Sequence, residues 1–302
     1  MPDSPEMPGA GLLDQDVFVE TADGRMLRTM ISNGGLSHAE LRGEGDDLIV
    51  LEAGLGMSGL SWGPVQQRIA PHARVVAYER AGYGASTPDT APRDLDRLTD
   101  DLLAVIRSVP HRRLVLVGHS WGGAIVRSAA ARLLADGADV AGLVLVDQSD
   151  ENAAVYFSAA FRFGVGMQRG LLPLLARLRA LRPMMSSMVA AVDEPLRDAV
   201  LEASTSTAAA RAAAEEYRRV VAGLTTLRDS PLDLGRIPIT VISGLGRPKH
   251  GARQRAEIVA AHQVSASQHP GARFVGAERS EHLIPFTEPQ LVADEALALL
   301  AR

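Results

Sequence analysis

The chain has 302 residues, 46% of them hydrophobic and 22% charged, enough for one large domain or a core domain with an insertion, burying roughly three quarters of its unfolded surface. Its 31 basic and 36 acidic residues leave a formal charge of -5, which offers no basic field for wrapping nucleic acid or for stable membrane association. With no cysteine, thiol nucleophiles, thiolate-held metals and disulfides are excluded, and chemistry falls to hydroxyl, imidazole and carboxylate groups.

The opening MPDSPEMPGAGLLDQD carries acids and prolines where a secretory signal needs a basic end and an apolar run. No segment reaches about 18 consecutive apolar residues, so a cytoplasmic location is expected. Residues 16–45, with DVFVETADGR and SHAELRGEG, read as polar-edged antiparallel strands. Short apolar, β-branched runs then recur: DLIVLEAG (47–54), ARVVAYERAG (73–82), RLVLVGHS (113–120), VAGLVLVDQS (140–149), IPITVISG (237–244) and ARFVGA (272–277). Such runs read as strands buried on both faces. Between most of them lie helix-like stretches such as 94–109 and 121–136. Strand and helix in alternation predict an α/β fold with a mostly parallel central sheet flanked by helices.

The rhythm breaks over 150–231, where Ala, Leu, Arg and Met recur at helical spacing with breaks at Gly164, Pro173, Pro183 and Pro195. This predicts a helical insertion, leaving 1–149 and 232–302 as the core domain. The insertion holds Tyr156, Phe157, Phe161, Phe163, Met167, Met184, Met185 and Met188. Flat rings and adaptable thioethers suit an apolar ligand surface. Tyr156, Phe157, Phe161, Met184 and Met188, with Met57 from the core, are the expected substrate-binding side chains; the other reading is that they pack the insertion onto the core.

Gly54-Leu55-Gly56-Met57-Ser58-Gly59 follows a strand with the spacing of a dinucleotide fingerprint, and Glu79 comes at the end of the next strand, where such a site holds a ribose. The fingerprint needs its third glycine in the first turn of a helix facing the pyrophosphate. Pro64 instead predicts a helix starting near Gly63, since proline suits a first turn and breaks an interior one. A nicotinamide-dependent oxidoreductase is therefore the weaker reading, and no cofactor is expected. Glu79 and Arg80 read as a structural pair bracing neighbouring loops.

Gly118-His119-Ser120-Trp121-Gly122 is a G-x-S-x-G between an apolar strand, 114–117, and the helix-like AIVRSAAARLLA. That context suits a sharp strand-to-helix turn lifting Ser120 into solvent as a nucleophile, with Gly118, Gly122 and Gly123 leaving room for a strained backbone. Serine needs an adjacent base. His282 follows the last strand in the short loop SEHLIPF, which brings it to the same sheet edge. His119 is expected to point away from the elbow, His262 and His269 to lie on the surface, and His250 to be a lesser candidate for the site.

From here the chain resembles the α/β-hydrolase superfamily, in its serine-hydrolase branch, over nearly its whole length. The resemblance rests on the strand-loop EAGLGMSG, the loop YERAGYGAST, the elbow GHSWGG, the strand end LVLVDQS, the helical insertion and the terminal SEHLIPFTEPQLVADE. It implies an α/β-hydrolase fold whose insertion caps the site, and an oxyanion hole made by the Leu55 and Trp121 amides. The usual His-Gly before that loop is here Ala53-Gly54. The aspartate that often follows the strand matching IPITVISG is missing, because 243–255 contains no Asp or Glu. Members that place the acid after the preceding strand point to Asp147, with Asp150 and Glu151 as alternatives and water or another polar group as a last resort. A serine at the elbow sets the chain apart from the superfamily's epoxide hydrolases and haloalkane dehalogenases, which use aspartate there.

The expected activity is that of a cofactor-independent serine hydrolase cleaving an uncharged, mainly apolar ester or lactone, with no metal. The insertion's near balance of ten basic and nine acidic residues over 150–232 agrees with an uncharged small-molecule substrate. Thioesterase, amidase, aminopeptidase, carbon–carbon hydrolase, haloperoxidase-like and lyase chemistries share the scaffold, as does a non-catalytic ligand receptor. The sequence does not separate them, and it says nothing of oligomeric state.

Overall fold

The computed structural model describes residues 7–33, 47–247 and 251–301; the strand read over SHAELRGEG and the candidate His250 lie outside these. The chain opens with a hairpin, β1 (Gln15–Glu20) and β2 (Met26–Ser32). Its second strand breaks the apolar alternation with Arg28, which is fully buried and donates from Nε to Asp16 at 2.7 Å. Six strands follow: β3 (Leu48–Glu52), β4 (Arg74–Tyr78), β5 (Leu114–His119), β6 (Val140–Val146), β7 (Ile239–Gly244) and β8 (Ala272–Ala277). They assemble in the order β1-β2-β4-β3-β5-β6-β7-β8. β2 runs antiparallel to both neighbours, and every later pair is parallel.

The helices are α1 (Gly63–Ile69), α2 (Leu95–Ser108), α3 (Trp121–Ala135), α4 (Ala159–Arg177), α5 (Leu181–Ser186), α6 (Leu196–Thr205), α7 (Thr207–Asp229), α8 (Ala252–Gln268), α9 (Ile284–Thr287) and α10 (Pro289–Leu300). Strand residues alternate between two cores, as a period of two requires. Leu48, Val50, Leu114 and Leu116 face Leu98 and Leu102 of α2 and Ile125 of α3. Ile49, Leu51, Val115 and Val117 face Val65 of α1 and Val292 and Ala296 of α10. On α2, Leu95, Leu98, Leu102 and Val105 share one helical face, and Asp94 caps the start by accepting from the Arg97 amide. Each such leucine contributes about 1.5–3 kcal/mol by leaving water. β8 departs from the expectation of strands buried on both faces: it is the sheet's edge, and of its residues only Ala277 is buried.

Helices α4 to α7 form a cap region between β6 and β7. Val220, Leu224 and Leu227 of α7 join one core, while Leu196 and Val200 of α6 join the other. The pairing register sets Glu52 opposite Gly118, His119 opposite Val146, and Gly244 opposite Ala277. The parallel strands therefore end level, and the loops that follow them emerge together at one sheet edge, where open α/β sheets bind ligands.

Candidate active site

β5 ends at His119 and α3 begins at Trp121, so Ser120 alone makes the turn. Its backbone sits at φ 53, ψ -121, a sparsely populated conformation costing about 1–3 kcal/mol. Hydrogen bonds over-determine it: the Ser120 amide donates to the Val146 carbonyl at 3.0 Å, and its carbonyl accepts from Gly123 at 3.0 Å and Ser149 at 2.8 Å. A Cβ on Gly118 would come within 2.5 Å of the Gly122 carbonyl oxygen, and one on Gly122 within 2.4 Å of that of Glu52. Gly118–Gly122, expected to be the only G-x-S-x-G, has a counterpart in Gly59-Leu60-Ser61-Trp62-Gly63. The latter forms a buried 3-10 turn, and Ser61 lacks the positive φ of Ser120.

Asp147 follows β6 at φ 42, with its amide donating to the Ile242 carbonyl at 2.7 Å. His282 Nδ1 donates to Asp147 Oδ2 at 2.7 Å. That bond holds the neutral imidazole's proton on Nδ1 and leaves the Nε2 lone pair free. The acid is dry, at 1% side-chain exposure, while His282 is 46% exposed. Burial alone would raise the Asp147 pKa, but the His282 hydrogen bond and charge, with the Arg255 bonds, hold it below the usual carboxylate range. Of the alternative acids, Asp150 is bound to Gln148, Ser265 and the Asn152 amide, and Glu151 to Arg127 at 2.7 Å. Asp147 is thus the one of the three in contact with His282.

Two histidines lie elsewhere than expected. His119 does not point away: it lines the same cavity as Ser120, its ring lies 4.7 Å from that of His282, and its Nε2 donates to the His282 carbonyl at 2.8 Å. His262 is not a surface residue but fully buried, bonded through Nδ1 to Ser243 Oγ and through Nε2 to the Gln148 carbonyl, each at 2.8 Å. His269 is half-buried, at the end of α8.

Trp121 opens α3, so its amide has no intrahelical acceptor. Leu55 lies across the cavity lining with it. Arg80 fixes the strand leading into the Leu55 loop, donating to the Ala53 carbonyl at 2.6 Å and the Gly54 carbonyl at 2.8 Å. The same guanidinium pairs with Glu52 at 2.7 Å and with Glu216 of α7 at 2.9 Å, all three side chains being at most 1% exposed. Glu79 and Arg80 therefore do brace loops, but with separate partners. Glu79 accepts from Ser58 Oγ at 2.8 Å and the Gly59 amide at 3.1 Å. The carboxylate a dinucleotide site would offer to a ribose is buried against its own glycine loop, and α1 starts at Gly63 with Pro64 in its first turn.

Ser120, His282, Leu55 and Trp121 line one cavity of about 460 Å³. Among the described residues no hydrogen bond joins the Ser120 hydroxyl to His282; such contacts often tighten only with substrate in place. Of the expected substrate-binding side chains, Met57, Tyr156, Phe161 and Met188 line the cavity. Phe157 and Met184 do not. Phe157 packs against the core under the Arg228 guanidinium, 4.4 Å from its ring, and Met184 faces solvent on α5. Tyr217 and Val220 of α7, Gln254, Arg255 and Ile258 of α8, and Ser149, Gly251, Glu281 and Leu283 also line the cavity. Tyr217, the one aromatic in an alanine-rich helix, was the readable signal among these. Burial and then the Asp147 charge raise the Tyr156 pKa, opposed by its bond to Ser149, so the phenol stays protonated. Among the described residues no group of three or more His, Asp or Glu side chains could hold a metal.

Comparison with known proteins bears on the fold. The chain is 34% identical to RutD of Caulobacter vibrioides over 90 residues, which span 28% of this chain and 34% of that one. Its fold matches an esterase from Exiguobacterium antarcticum with a TM-score of 0.66 at 15% identity, covering 95% and 100% of the two chains. A bromoperoxidase from Bacillus anthracis matches with a TM-score of 0.68 at 16% identity, again over 95% and 100%. At such identities the likeness is one of fold. The model of the alpha/beta hydrolase family matches residues 49–295, and the chain, with its eight-stranded sheet and helical cap, belongs to that family.

Proposed function

We propose that the protein is a cofactor-independent serine hydrolase that cleaves an uncharged, mainly apolar carboxylic ester or lactone. The observation that carries this reading is the His282 Nδ1 to Asp147 Oδ2 hydrogen bond of 2.7 Å, in a cavity shared with a serine held at positive φ. Ser120 Oγ attacks the substrate carbonyl and passes its proton to His282 Nε2 while Asp147 steadies the imidazolium. The Leu55 and Trp121 amides take the charge that develops on the carbonyl oxygen. Collapse expels the alcohol with the proton from His282 and leaves an acyl group on Ser120. Water, deprotonated by His282, then releases the carboxylic acid.

The cavity supports the substrate class. Met57, Phe161, Met188, Val220, Ile258 and Leu283 supply apolar wall, and the guanidinium of Arg255 is engaged by Asp147. Residues 150–231 act as the cap that shapes it. A fluorophosphonate probe tests the assignment: stoichiometric labelling of Ser120 with turnover of neutral esters or lactones is expected. A folded protein that binds small apolar molecules but takes no label is a receptor, and the proposal fails.

A further inference from the structure

The cap carries an apolar stripe that none of the described residues covers. Phe163, Met167, Leu171, Leu174 and Leu178, with Met184 from α5, are between 40% and 70% exposed. At about 100° per residue the first five fall within roughly 80° of the helical circumference. Isolated exposed leucines are ordinary, but a contiguous apolar face on a water-facing helix marks a contact surface.

The charge around the stripe says what kind of surface it meets. From 153 to 192 the chain has five arginines, Arg162, Arg169, Arg177, Arg179 and Arg182, and no Asp or Glu. All five are exposed, and one of them, Arg182, pairs with Asp198 at 2.8 Å. The near balance of charge over the whole insertion hides this, as does the chain's formal -5, because the acids lie on either side of the segment. A second copy of the chain is a poor partner, since two-fold pairing would set arginines against arginines. An anionic lipid surface accepts both features at once: the arginines sit among headgroup phosphates while the stripe enters the acyl boundary.

We propose that α4 and α5 form an interfacial face that docks the protein peripherally on anionic phospholipid. No helix among the described residues is long and apolar enough to cross a membrane, so the face lies on the bilayer. Phe161 and Met188, from the same segment, line the cavity, and the docked face therefore adjoins it. The docking holds whatever bond Ser120 cleaves.

Sedimentation of the full chain with phosphatidylglycerol vesicles and with phosphatidylcholine vesicles tests this. Wild type should pellet with the anionic vesicles, and raised salt should weaken binding by at least about tenfold. Arg177→Gln with Arg179→Gln, which flank the stripe's C-terminal end, should weaken it roughly fivefold per arginine, and Met167→Ser with Leu171→Ser should abolish it. These side chains are exposed, so circular dichroism should be unchanged. Wild type remaining in the supernatant with anionic vesicles overturns the proposal. So does equal binding to both lipids with the arginine variant unaffected. A dimer that the serine variant converts to monomer makes a second copy the occupant and overturns it too.

Discussion

Arg255 donates to both carboxylate oxygens of Asp147 at 2.7 Å each, so this acid is shared between a guanidinium and the imidazole of His282. The Gly244 amide adds a fourth donor at 3.0 Å. An acid at the end of β6 would otherwise be free to rotate, and these donors fix the plane in which His282 is held. Arg255 comes from α8, directly after the loop in which the expected aspartate is missing. The position that lacks an acid thus feeds a helix that supplies the acid's clamp.

Arg255→Gln should act through Asp147 as a positioning change. Loss of a charge-assisted bidentate contact of about 1.5–3 kcal/mol predicts a fall in kcat of roughly ten- to hundredfold with KM little altered. Asp147 is held below the usual carboxylate range partly by this arginine. Its pKa should rise in the variant, so activity should begin to fail at a higher pH on the acid side. A fall in KM-dependent terms alone, with an unmoved acid limb, would make Arg255 a substrate contact instead.

Ser120→Ala should keep the fold and lower hydrolysis by at least about a thousandfold, because no other group forms the acyl-enzyme. Asp147→Asn should cost up to about ten-thousandfold, since an amide can stabilise the wrong imidazole tautomer and cannot offset the imidazolium. Asp150→Asn and Glu151→Gln should change turnover little, as their carboxylates are bonded elsewhere. Near-normal turnover in folded Asp147→Asn would remove that residue from the mechanism.

Asp147 and His282 stand 135 residues apart, yet both were legible, because each closes a recognisable apolar run whose parallel neighbours must end at one sheet edge. The same logic brings Ser120 and the Leu55 loop to that edge. Side chains facing the site from α7 and α8 are harder to read. Whether Arg255 or Ile258 looks into the cavity depends on how α8 rotates about its axis, and a helix of mixed composition leaves that rotation unmarked. His119 and His262 depart from expectation for a related reason: a histidine satisfied by a backbone carbonyl has no sequence pattern. Met184 and Met188 are four residues apart on one short segment, and only packing separates the exposed one from the one in the wall.

Glu216 ties the cap to the Leu55 loop. It accepts from Arg80 at 2.9 Å and from Arg93 at 2.8 Å, and Arg80 in turn holds the Ala53 and Gly54 carbonyls. Glu216→Gln leaves two buried guanidiniums under-compensated and should cost about 3–5 kcal/mol in urea unfolding. In the fraction that remains folded, kcat should fall more than KM rises, because the Leu55 amide is what loosens. A variant equally stable and equally active would show that the cap and the loop are held independently.

His119 makes stability depend on acid. Burial first, and then the adjacent His282 imidazole, push its pKa down to about 3, against the opposing effect of its bond to the His282 carbonyl. An unfolded histidine titrates near about 6.5. Between those values the unfolded chain holds a proton that the folded chain refuses, so stability falls as pH drops below about 6.5 and is unaffected above it. From pH 7.5 to pH 5.5 this one residue should remove about 1.4 kcal/mol. His119→Gln keeps an amide donor for the His282 carbonyl but cannot titrate. Urea unfolding at the two pH values should therefore show wild type losing about that much more than the variant. Equal losses would mean that His119 accepts its proton without unfolding, and that its buried place beside His282 tolerates the charge.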